Sequence, residues 1–152
     1  MNIHQTRILK SIYIIKPNFH AFTARLHSKL EQAQLTMSYT NIEQFNEKSY
    51  TFYCVLERII KNLHNPNTLA PFLAHHIQSL KQHNVAASDI NVLCDSFLQT
   101  LSEHLGTKFD EQTQQAWQYA LNYFTNFTNN QLFNCSNVVS LQQKLAQKQN
   151  SQ

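Results

Sequence analysis

At 152 residues the chain has the length of one domain, large enough to bury a core without help from a disulfide or a metal. Basic residues exceed acidic ones by three, and the excess is scattered, so the charge gives no patch for nucleic acid or an anionic membrane. Cys54, Cys94 and Cys135 are odd in number and far apart, which fits a reducing compartment better than a disulfide framework. The longest apolar run, Ile12 to Ile15, is too short to cross a bilayer, and the N-terminus has no charged-then-apolar leader pattern. The expectation is a cytoplasmic protein with neither nucleic acid nor membrane as partner.

Nearly every segment reads as helix. Ile8, Ile12 and Ile15 open the pattern, Pro17 suits a helix start or kink, and Phe19, Phe22, Leu26 and Leu30 line a second helix. Periodicity fails from Gln32 to Phe45. Phe52, Val55, Leu56, Ile59, Ile60 and Leu63 then form a regular apolar stripe that stops at the turn Asn65-Pro66-Asn67. Leu69, Phe72, Leu73, His76, Ile77 and Leu80 recur at helical spacing, which predicts a buried stripe containing His76. Ser88 or Asp89 is the expected cap of the next helix, whose stripe is Ile90, Leu93, Cys94, Phe97, Leu98, Leu101 and Leu105. Gly106, the only glycine, marks its end. Asp110 can cap a last helix carrying Ala116, Trp117, Ala120, Phe124 and Phe127. Helices with one apolar face each must pack on one another, so the fold class is all-α, in a bundle or non-bundle arrangement.

The segment from Asn91 to Phe124, with Leu101, Leu105-Gly106, Phe109 and Ala116-Trp117, resembles the last two helices of bacterial single-domain globins and of flavohaemoglobin globin domains. Lys61 to Val85 resembles the end of the globin distal helix, the turn after it and the proximal helix. Lys16 to Leu30 resembles the first two helices. This resemblance implies a globin-like fold of about six to eight helices. It also implies a division into a globin-like domain over 1–135 and a polar tail over 136–152, rich in Gln and Lys from Leu141 onward.

In that family the iron is held by a proximal histidine five residues before the aliphatic residue that opens the next corner. Val85 is that aliphatic residue here, and counting back five gives Leu80, whose isobutyl group has no lone pair to donate. The tyrosine and glutamate that orient the family's proximal ring correspond to Ile90 and Leu132. All three polar members of the proximal site are thus aliphatic. On the distal side, the position often held by tyrosine matches His27, and the position of the distal glutamine or histidine matches Lys48. The family's corner phenylalanine corresponds to either Tyr39 or Phe45.

These positions imply a haem-free globin-like protein whose pocket is lined by Leu80, Ile90, Phe97, Leu132 and Phe52, facing His27 and Lys48. Such a pocket suits an apolar small molecule such as a fatty acid, its carboxylate meeting Lys48 or His27, or else serves a sensor or interaction module. The alternative is a haem protein that binds oxygen or nitric oxide through an atypical axial histidine, His76 or His83, one turn either side of Leu80. His75 and His76 are adjacent and diverge around a helix, so they lack the spacing of a zinc pair, and no metal site is expected. No phosphate loop, nucleophile elbow or paired acids point to an enzyme. The pattern is compatible with a homo-oligomer.

Overall fold

The computed structural model describes residues 3–37, 49–78, 81 and 83–133, with the side chain of Phe52 outside that description. The helices, in chain order, are α1 (Ile3–Ile15), α2 (Phe19–Gln32), α3 (Ser49–Lys61), α4 (Pro66–Gln78), α5 (Ala87–Leu105) and α6 (Glu111–Leu132). No strand occurs among the described residues.

Pro17 lies in a short 3-10 turn, Lys16–Asn18, joining α1 to α2, where its missing N–H costs no helical bond. The repeating isoleucines of α1 and the phenylalanines of α2 are buried as their spacing predicts. They join Tyr53 and Ile60 of α3, Phe97, Leu101 and Leu105 of α5, and Ala116 and Trp117 of α6 in the larger core cluster. At its centre Phe22 stacks on Phe19 at 5.3 Å and meets the edges of Phe97 at 5.4 Å and His104 at 5.5 Å. Aromatic pairs of this kind contribute roughly 0.5 to 1.5 kcal/mol beyond the area they bury.

A second, smaller cluster holds α4 in place. Leu69, Leu73 and Ile77 are buried against Tyr123, Phe124, Phe127 and Leu132 of α6, with Ile59 of α3 and Leu63 of the turn after it reaching in. The stripe of α6 therefore changes partners along its length. Ala116, Trp117, Ala120 and Leu121 serve the larger cluster, and the aromatic residues from Tyr123 onward serve the smaller one.

Three local expectations need correction. The turn at Asn65-Pro66-Asn67 is shorter than its composition suggests, because Pro66 is the first residue of α4 and the Asn65 carbonyl accepts from the N–H groups of Thr68 and Leu69 at 3.1 and 3.0 Å. The buried stripe of α4 is the narrow set Leu69, Leu73 and Ile77, whereas Phe72 and His76 lie on its flank and are half-buried. Third, neither Ser88 nor Asp89 occupies the capping position of α5. Ala86 does, and Asp89 sits in the first turn, its Oδ2 accepting from the Ala86 N–H at 2.8 Å.

The end of α5 and the start of α6 follow the sequence. Gly106 adopts φ 56° and ψ −124°, a backbone that glycine enters at least cost, and starts the 3-10 turn Gly106–Lys108. The Asp110 carboxylate then accepts from the Thr113 N–H at 2.8 Å, capping α6.

Two buried polar side chains tie distant elements together. Gln5 of α1 donates to the carbonyls of Ile60 and Lys61 at 2.8 and 3.0 Å at the C-terminus of α3, where the Ile60 carbonyl also takes the Leu63 N–H at 3.3 Å. Its Nε2 also lies 3.1 Å from His64 Nδ1. Asp89 performs the second tie. Besides Ala86, its carboxylate accepts from the N–H groups of Thr36 at 2.8 Å and Met37 at 3.0 Å, fixing the chain that follows α2 against the start of α5.

Candidate ligand site between α4, α5 and α6

The first turns of α5 and the last turns of α6 run side by side beside the smaller core cluster. Cys94 Sγ lies 3.4 Å from Thr125 Oγ1, and burial holds that thiol above its ordinary range, where it stays protonated and unreactive. One turn earlier Ile90 is completely buried, and on the antiparallel helix Thr128 is completely buried as well. Leu132 packs at the end of α6 on the α4 side. Phe97, two turns further along α5, belongs to the larger cluster, with its ring 5.4 Å from that of Trp117.

The histidines of α4 stand at its edge. His76 meets the ring of Phe72 at 4.6 Å and that of His75 at 5.3 Å, both edge-on, so the adjacent imidazoles approach rather than diverge. The Arg58 guanidinium of α3 covers the Phe72 ring at 4.3 Å, bridging α3 to α4. Burial, followed by the neighbouring His75 and Arg58 charges, lowers the His76 pKa below its ordinary value, which favours the neutral ring. His83 is half-buried and follows α4 outside any α-helix.

His27 of α2 is completely buried, its Nδ1 3.7 Å from the carboxylate of the exposed Glu31 one turn on. Phe52 lies in α3. Leu80 and Lys48, together with Tyr39 and Phe45, fall outside the described residues, as does the polar tail.

A haem iron held from α4 needs an imidazole lone pair directed into the fold. The inward residues of the described part of α4 are Leu69, Leu73 and Ile77, and its imidazoles are an exposed His75 and a half-buried His76 packed on Phe72. At the start of α5, Ile90 is completely buried. Among the described residues of α4, neither imidazole is placed to hold a haem in the usual manner. Among the described residues no group of three or more metal-ligating side chains forms, and no helix is long and apolar enough to cross a membrane.

Sequence reasoning missed Asp89 as a clamp and Gln5 as a cap. An acid in the first turn of a helix is a visible signal, but its remote N–H partners are not. Gln5 gives no signal at all, since its acceptors lie 55 and 56 residues away.

The globin family model matches residues 36–128, well over half of the chain and spanning α3 to nearly the end of α6. No curated protein matches the chain.

Proposed function

The chain belongs to the globin family, and we propose that it is a globin-fold protein that works without haem, as a sensor or interaction module that holds an apolar small molecule such as a fatty acid on its proximal side. The observation carrying this reading is Ile90, aliphatic and completely buried at the position that resemblance assigns to a polar partner of the proximal histidine. Leu80 in the ligand position and Leu132 in the second polar position agree with it. A buried side chain of this size contributes roughly 1.5 to 3 kcal/mol when removed from water, so an apolar proximal wall is stable in its own right. His27 and Lys48 supply the polar end that would orient a carboxylate. No catalytic residue is assigned, and the setting proposed is the cytoplasm, with association into a homo-oligomer compatible with this role.

One observation favours a second reading. The neutral, half-buried His76 has the protonation state that metal ligation requires, so an off-register haem on this imidazole is the competing assignment. An absorption spectrum of the protein as purified, followed by mass spectrometry of released small molecules, separates the two. The first reading predicts no Soret band and a co-purified lipid-like molecule, and the second predicts a Soret band that moves with carbon monoxide.

A further inference from the structure

The outer face of α3 carries a groove unrelated to the proximal side. Its volume is about 330 Å³, within the range of small-molecule sites, and it is lined by Lys16, Tyr50, Tyr53, Glu57, Arg58 and Lys61 among others. The charges in it are unequal. Glu57 is held by Lys61 at 2.7 Å, which leaves Lys16 and Arg58 as the excess positive charge of the groove. Both of these cations already rest on aromatic rings. Lys16 Nζ stands 5.4 Å from the centre of the Tyr53 ring and the Arg58 guanidinium 4.3 Å from that of Phe72.

Tyr50 is 75% exposed at the rim, so its ring is open to a ligand. A flat ring entering the groove would stack on tyrosine, and an acidic group attached to it would meet two cations whose stems are already ordered by aromatic contact. We propose that this groove is a binding site for small aromatic anions, a planar ring bearing a phosphate or carboxylate. The inference does not depend on the haem-free reading, since neither Ile90 nor Leu132, on which that reading rests, lines the groove.

The test is titration of the full chain, isotopically labelled, with phenyl phosphate at moderate salt while amide resonances are followed by NMR. Inorganic phosphate and phenol serve as the two half-ligands. Expected are saturable shifts centred on Tyr50, Tyr53 and Arg58, with phenyl phosphate binding at least about tenfold more tightly than either half-ligand. Lys16→Gln and Arg58→Gln, both at exposed positions, should each weaken binding by about tenfold, the first with the rest of the spectrum unchanged and the second with added shifts only around Phe72 and His76. Absence of saturable shifts, equal binding of inorganic phosphate, or variants that bind as the parent does would overturn the proposal.

Discussion

The carboxylate of Asp89 accepts the backbone N–H of Met37 at 3.0 Å, joining the chain that leaves α2 to the first turn of α5 across 52 residues of sequence. The same carboxylate takes the N–H groups of Thr36 and Ala86. One buried side chain thus sets where the segment leading toward Lys48 begins and where α5 starts.

Replacing that acid should be costly. Hydrogen bonds to a charged acceptor contribute about 1.5 to 3 kcal/mol, and Asp89→Ala leaves three backbone donors without their carboxylate. We expect a loss of roughly 3 kcal/mol or more in urea unfolding, with Asp89→Asn losing less because one acceptor oxygen remains. A loss below about 0.5 kcal/mol for the alanine variant would mean that the clamp contributes little in solution.

Gln5 makes a parallel case at the C-terminal end of α3. Gln5→Ala removes the donor to the Ile60 and Lys61 carbonyls, with an expected cost of about 1 to 2 kcal/mol. Amide hydrogen exchange should also accelerate in the last turn of α3 more than in its first turn, because that end loses its tie to α1.

Gly106 isolates a backbone effect. A Cβ added there would meet no atom within 4 Å, so Gly106→Ala introduces strain at φ 56° without a clash. The expected cost is about 1 to 2 kcal/mol, and Gly106→Asn should recover part of it, because asparagine tolerates positive φ better. Equal stability of the alanine variant and the parent in thermal unfolding would contradict the assigned backbone.

Acid should weaken the fold in two windows. Burial is the largest cause lowering the pKa of both His104 and His76, so the unfolded chain takes up protons before the folded one does. The stabilising contribution of the neutral rings is present above the unfolded value near 6.5 and is lost as pH falls through the lower folded values. Glu57, Glu103 and Asp110 are lowered chiefly by hydrogen bonds from Lys61, Lys29 and Thr113, so their contributions survive to more acid pH and fade below their ordinary values of 4.5 and 3.8. Urea unfolding measured between pH 7.5 and 5 should show the first decline, and His104→Gln should flatten it.

The all-helical fold was legible because each helix writes its buried face as a repeat of three and four residues, as in α2 and α5. Helix ends were legible where the signal is local, as at Gly106 and Asp110. They were misplaced at Ala86, where the sequence offers two better capping residues and the helix uses one of them a turn later for a remote contact. His76 and Phe72 share the spacing of buried residues, yet α4 buries only a narrow stripe against α6, so periodicity alone could not separate inward from flanking positions. At the candidate site, sequence placed Ile90, Leu132 and His27 in α5, α6 and α2. It could not show that Phe97 packs with Trp117 in the larger cluster, because helical spacing identifies a face and leaves its partner open.

The central claim is that the proximal side is apolar and holds no iron in the family's manner. Its most direct test is the absorption spectrum of the full chain after incubation with one equivalent of haem and removal of the excess, compared with His76→Ala and His83→Ala. We predict a weak, broad Soret envelope that desalting strips away and that neither substitution alters. A sharp Soret band that survives desalting, shifts with carbon monoxide and disappears in either histidine variant would contradict the account.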